Sequence, residues 1–163
     1  MKTSELQKAR AAYQPKLPVA LQGGVKIVEG APTTSVDNQE EIKQLFPNTY
    51  GMPLVEVAQG EVKNVKMNVG VILSGGQAPG GHNVITGLFD TVKKLNPENR
   101  LYGFLMGPGG LVDHKYVEIT KEFVDEYRNT GGFDMIGSGR TKLEKVEQFE
   151  KGLEIIRELN INA

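Results

Sequence analysis

The chain has 163 residues, with 19 basic and 20 acidic side chains for a net charge of −1, no cysteine, and 20 glycines. Those proportions exclude wholesale disorder and a disulfide framework, and the near-zero charge leaves no field for nucleic acid. No apolar run reaches the ~18 residues of a membrane helix, and the N-terminus lacks the apolar core of a signal peptide, so a cytoplasmic protein without membrane contact is expected.

Ser4 and Gln7 have the spacing of a capping box, which predicts a short helix over 4–13, ended by Pro15 and Pro18. Residues 19–36 are rich in Gly, Pro and Thr, with short β-branched pieces at Val25, Ile27 and Val28. Asp37 with Glu40 suggests a second helix over 38–45, stopped near Pro47, and residues 48–64 read as irregular. The apolar content of 1–64 is too scattered for a core, so this stretch is expected to be an N-terminal extension packed on a domain or on a partner.

From residue 65 the pattern is regular. Val69–Leu73 is a short apolar run ending in Ser-Gly-Gly, the profile of a buried strand. Val84, Ile85, Leu88, Phe89, Val92 and Leu95 share one helical face, and Asn96-Pro97 ends that helix. Leu101–Met106 is a second strand, running into Gly-Pro-Gly-Gly; a short helix is expected over Ile119–Tyr127. Phe133–Ile136 reads as a third strand, running into Gly-Ser-Gly-Arg. Thr141 with Glu144 predicts a cap for a last helix, in which Leu143, Val146, Phe149, Leu153, Ile156 and Leu159 recur every three or four residues.

Strands alternating with helices imply an α/β fold, three-layered, with a mainly parallel sheet flanked by helices. Each strand runs into glycines, and 14 of the 20 glycines lie between Gly70 and Gly139. Ligands of open α/β sheets bind at the carboxyl ends of the strands, so these loops are expected to converge on one ligand-binding rim. The last helix has no long following strand to return to, which suggests a partial domain, a fragment of something longer.

The sharpest cluster is Ser74-Gly75-Gly76-Gln77-Ala78-Pro79-Gly80-Gly81-His82-Asn83, which joins a strand to a helix N-terminus. Unpaired N–H groups and the positive end of a helix dipole suit phosphate there. From Gly76 to Gly81 the spacing approaches a P-loop, but His82-Asn83 stand where Lys-Ser/Thr would be required, and G-x-G-x-x-G is not met. Arg140 follows Gly137-Ser138-Gly139 and can grip phosphate with a fork of donors. His82 and His114 lack metal-ligand spacing with carboxylates, and no carboxylate stands out as a general base.

The run 68–83 resembles the first glycine loop of the phosphofructokinase family, and Gly131-Gly-Phe-Asp-Met-Ile-Gly-Ser-Gly-Arg140 resembles its second phosphate motif. The resemblance covers 65–163 and is strongest to the diphosphate-dependent branch, whose members also carry an N-terminal extension. It implies a phosphofructokinase-like domain of which 65–163 is the first, donor-binding part. It also implies a glycolytic reaction in which diphosphate and fructose 6-phosphate give phosphate and fructose 1,6-bisphosphate with Mg²⁺, in a homo-oligomer, dimer or larger. By the same resemblance Gly75, Gly76, Gln77, Gly80, Gly81 and Arg140 would bind diphosphate. An ATP-dependent member, or a non-catalytic phosphate-binding or regulatory subunit, are the alternatives. Gln77 in place of an acidic residue, the extra residue in Gly80-Gly81-His82, and Leu105 in place of an adenine-stacking aromatic favour diphosphate. The family's Gly-Gly-Asp loop and Thr-Ile-Asp motif, which supply the Mg²⁺ ligands and the base, do not occur in these residues. The chain is therefore expected to be an N-terminal fragment that does not turn over alone.

Overall fold

The computed structural model describes residues 4–163. Pro15–Lys63 forms one compact unit; the described residues up to Gln14 and from Asn64 to Ala163 form another.

In the first of these units, a 3₁₀ turn at Val19–Leu21 leads to β1 (Gly24–Pro32), and α2 (Gln39–Leu45) precedes β2 (Pro53–Gly60). β1 and β2 pair antiparallel, with Ile27 opposite Val57. The hairpin corrects the irregular reading of 48–64. Its Val25, Ile27, Val55 and Val57 lie on one face and stay exposed, so the pairing rests on cross-strand bonds rather than on a core. Gly24 is required by packing, since a Cβ there would sit 1.9 Å from the Glu61 carbonyl oxygen.

The other unit opens with α1 (Glu5–Ala12), capped as expected: the Ser4 hydroxyl accepts from the Gln7 N–H while the Gln7 side chain accepts from the Ser4 N–H. β3 (Asn68–Val71) leads through the glycine loop to α3 (Gly81–Leu95), then to β4 (Arg100–Phe104), which pairs parallel to β3. α4 (Pro108–Val112) follows, with its proline in the first turn, where a missing N–H costs nothing. β5 (Tyr116–Glu118) then returns antiparallel to β4, and α5 (Lys121–Tyr127) and α6 (Val146–Glu158) complete the elements. On the far side of β3, Ile161 bridges Asn68 in parallel, the Asn162 N–H donates to the Asn68 carbonyl at 2.8 Å, and the Gly70 N–H donates to the Ala163 carbonyl at 2.9 Å. The helix without an apparent returning strand therefore does return, in three residues.

Two expectations need correction. Phe133–Ile136 is not a strand; only Gly139, farther on, bridges Ser74 in parallel. The sheet's third strand is β5, antiparallel, so the sheet is mixed. The expected cap at Thr141 is also not used. Residues 141–145 are non-helical, and the Gln148 side chain accepts from the N–H groups of Glu144 and Lys145, each at 3.0 Å, at the start of α6. α6 buries Gly152 and Ile155, while Val146, Phe149 and Leu153 of the expected apolar face remain exposed.

The core lies between the sheet and α3 and α5: Val69, Ile85, Phe89, Val92, Leu101, Ile119 and Val124, joined by Met135 and Ile136. Asn99, wholly buried, is its polar fastener. Its carbonyl accepts from the Met67 N–H at 2.8 Å, and its amide donates to the carbonyls of Val65 at 2.8 Å and Val92 at 3.1 Å. One side chain thereby ties the end of α3 to the approach of β3 and satisfies three backbone groups.

Candidate functional site

Three chain segments meet beyond the carboxyl ends of β3 and β4. Ser74 and Gly75 follow β3, and the Gly75 N–H donates to the Gly139 carbonyl at 3.0 Å. Met106 and Gly107 follow β4, and the Met106 N–H donates to the Ile136 carbonyl at 2.8 Å. The run 131–141 is the third segment and lies against both. The approach is close enough to demand glycine: a Cβ on Gly139 would stand 2.0 Å from the Met106 carbonyl oxygen, and one on Gly107 would stand 2.5 Å from the Gly139 nitrogen. The glycine-rich loops thus converge although one of them follows no strand.

The expected phosphate residues are placed as follows. Gly75 has φ +102° with open space around it, so the turn itself requires glycine. Gly76 lies under Arg140: the Nη2 atom is 3.1 Å from the position a Gly76 Cβ would take. Among the described residues Arg140 has no ion pair, and the N–H groups of Gly76 and Gln77 have no acceptor. Gln77 is exposed. These three residues present unspent donors at one place, which suits an anion. Gly80 and Gly81 face other demands. Gly80 takes φ +98° as the residue before α3, and its N–H donates to the Gly131 carbonyl at 2.8 Å. Gly81 is buried, and a Cβ there would sit 2.4 Å from the Phe133 ring. Packing alone accounts for glycine at 81.

Periodicity and spacing missed the side chains that hold these loops. His82, expected as a helix-start residue, is 3 % exposed and makes three hydrogen-bond contacts within hydrogen-bond range, to Thr130, Asp134 and Met135. Its Tyr127 neighbour meets the ring edge-on at 4.8 Å. Gly132 approaches the same ring, 2.5 Å from Cε1 to where a Cβ would be. These contacts join residues about fifty positions apart, and no local signal announces them.

A second charged cluster lies away from this place. Arg128 grips Asp90 on α3 with two bonds of 2.8 and 3.0 Å and Asp125 on α5 with one of 3.0 Å. Its hydrogen bonds to Asp90, then Asp125, hold the guanidinium well above its ordinary pKa, against the opposing effect of burial. Asp125 is held below its usual range, first by its bond from Lys121. Every charge here is paired, so the cluster is structural.

Residues 68–163 match the family described as phosphofructokinase. The chain belongs to the phosphofructokinase family. Two curated relatives are named pyrophosphate–fructose 6-phosphate 1-phosphotransferase: one from Porphyromonas gingivalis is 65 % identical across 100 % of this chain and 30 % of its own length, and one from Entamoeba histolytica is 48 % identical across 100 % of this chain and 31 % of its own length. The chain therefore spans about 30 % of the length of those relatives. Among solved structures, a pyrophosphate-dependent phosphofructokinase from Marinobacter aquaeolei aligns with 60 % of this chain and 24 % of its own, at 21 % identity and a TM-score of 0.49. The family match begins at Asn68, where β3 begins.

Magnesium, which the family resemblance implies, needs hard oxygen ligands. Among the described residues no group of three His, Cys, Asp or Glu side chains comes together, and the charge at Gly76 is the Arg140 cation.

Proposed function

We propose that the protein containing this chain transfers a phosphoryl group from diphosphate to fructose 6-phosphate, giving phosphate and fructose 1,6-bisphosphate in glycolysis. The sugar hydroxyl oxygen bonds to the distal phosphorus as its proton passes to a base, the bridging P–O bond breaks, and inorganic phosphate leaves. Such transfer is mostly a matter of positioning and neutralising the phosphoryl charge. The observation that carries the reading is the Arg140 guanidinium lying over Gly76, beside N–H groups that have no acceptor among the described residues. On this reading Gly75 shapes the turn, Gly76 and Gln77 donate to the diphosphate, Arg140 neutralises it, and Gly80 and Gly81 set the loop's exit into α3. The relatives' names favour diphosphate over ATP as donor. The base and any Mg²⁺ ligands would come from groups outside residues 4–163, and the division into an extension (1–64) and the first part of a donor-binding domain (65–163) belongs to the same proposal.

We further place the protein in the cytoplasm as a homo-oligomer, dimer or larger, with no nucleic-acid or membrane partner. No helix among the described residues is long and apolar enough to cross a membrane. The exposed apolar face of the β1–β2 hairpin supports association, since such faces are commonly buried in assemblies.

The experiment is steady-state kinetics of Arg140→Ala in the full-length protein. A lost charge-assisted contact of about 1.5–3 kcal/mol lowers kcat/KM for diphosphate about tenfold or more, with the KM for fructose 6-phosphate unchanged. Unaltered diphosphate kinetics would remove Arg140 from the site, and turnover with ATP in place of diphosphate would reverse the donor assignment.

A further inference from the structure

Among the described residues near the converging loops, His82 is a buried ionisable side chain that the proposed reaction does not use. Its hydrogen bonds define its state. The Thr130 hydroxyl donates to the Tyr127 carbonyl, so the lone pair of its Oγ1 faces the ring, 2.6 Å from Nδ1. Nδ1 therefore carries the proton. Nε2 is left as an acceptor, and the backbone N–H groups of Asp134 and Met135 both donate to it at 3.0 Å. Asp134 Oδ1 also lies 2.8 Å from Nε2, but that side chain is 79 % exposed and can turn into solvent, whereas the two backbone N–H groups cannot turn away. These contacts assign Nε2 as the ring's acceptor and Nδ1 as its donor to Thr130.

This arrangement explains why Phe133–Ile136 is not a strand: two of its N–H groups are spent on an imidazole instead of a neighbouring ladder. It also fastens the whole run. The His82 N–H donates to the Gly132 carbonyl at 2.9 Å, and the Gly80 N–H donates to the Gly131 carbonyl at 2.8 Å. The start of α3 holds residues 131–135 by backbone on one side and by imidazole on the other. Five residues past Met135 the same run delivers Arg140 to Gly76.

We propose that His82 is a positioning residue for the diphosphate site: its Nε2 lone pair pins residues 134–135 to the head of α3 and thereby sets the approach of Arg140 to Gly76. This rests on the reading of Gly76 and Arg140 as the phosphate site. A displacement near 1 Å of a binding group can cost on the order of a hundredfold, so a loosened run would be felt in diphosphate use.

Two near-isosteric variants of the full-length protein test it. His82→Gln places an amide oxygen about where Nε2 sits and keeps the acceptor; His82→Asn reaches only the Nδ1 position and leaves the Asp134 and Met135 N–H groups unpaired. The expected result is a KM for diphosphate raised about tenfold in H82N, an unchanged KM for fructose 6-phosphate, and a value within about threefold of the parent in H82Q. A general loss of folded protein would lower the active fraction without separating the two KM values. The inference is overturned if H82N leaves diphosphate KM unchanged, if both KM values move together, or if H82Q fails to restore it. It is overturned as well if nitrogen NMR of the parent imidazole finds the proton on Nε2. Arg140→Ala, run in parallel, separates the two layers. A raised diphosphate KM in R140A with none in H82N sinks the His82 role alone, and no change in either sinks the phosphate site with it.

Discussion

Gly81→Ala offers a sharp test of the packing between the head of α3 and the 131–136 run. Glycine at 81 does not have the left-handed backbone that would by itself forbid alanine. Helix propensity alone favours the change by up to about 1 kcal/mol. The structure predicts the opposite sign. An added Cβ would lie 2.4, 2.9 and 3.1 Å from Cδ2, Cε2 and Cγ of Phe133, so the rigid ring itself is met, not a flexible tip. The ring cannot withdraw cheaply, because its chain is tied on both sides, at Gly131 and Gly132 by their carbonyls and at Asp134 and Met135 by their N–H groups. Overpacking of this kind costs about 1–3 kcal/mol, which leaves a net destabilisation of up to about 2 kcal/mol after the propensity gain. Native-state hydrogen exchange of the full-length protein reads it as a drop of up to about 30-fold in the protection of amides in α3 and in 131–136. Gly87→Ala is the internal control: it lies in the same helix with nothing within 4 Å of its Cβ, and it should be neutral or stabilising by up to about 1 kcal/mol. Equal behaviour of the two variants would refute the argument from the Phe133 contact.

Asn99→Leu removes three hydrogen bonds at a wholly buried position and strands the Met67 N–H with the Val65 and Val92 carbonyls. A loss of about 2–4 kcal/mol is expected, read as a lowered urea midpoint for the segment that contains β3; a change below about 0.5 kcal/mol would contradict it. Arg128→Ala should destabilise by about 1–2 kcal/mol, because its two partners are half exposed and regain water. Arg128→Lys should not restore the loss, since an ammonium cannot reproduce the two-bond grip on Asp90; full restoration would count against that geometry. Asp125 has its pKa depressed in the fold, so its contribution is complete at neutral pH. It fades only as pH falls below about 4, which a pH series of the melting temperature checks.

Local pattern carried a good part of this fold. The apolar face of α3, the Asn96-Pro97 stop, the Ser4–Gln7 cap and the runs that become β3 and β4 each depend on residues within a turn or two of one another, so spacing alone reveals them. Convergence of the glycine loops was also legible, because the carboxyl ends of adjacent parallel strands share one rim. The β1–β2 hairpin was not, because its alternating pieces, Val25-Lys26-Ile27 and Val55-Glu56-Val57, are only three residues long and are flanked by Gly30, Pro32 and Pro53. β5 is three residues long, too short to show any period.

Composition and patterning by themselves determined that these residues form an α/β structure with glycine loops suited to phosphate and an arginine at hand. Only the tertiary structure decided which glycines answer to backbone turning, which to a neighbouring ring, and which to an arginine. It also decided that the third run would be an imidazole-pinned segment rather than a strand. The physical reason lies in reach. Periodicity records what a residue shares with its neighbours in the chain, whereas the fate of the Asp134 and Met135 N–H groups depends on a lone pair supplied by His82, some fifty residues earlier.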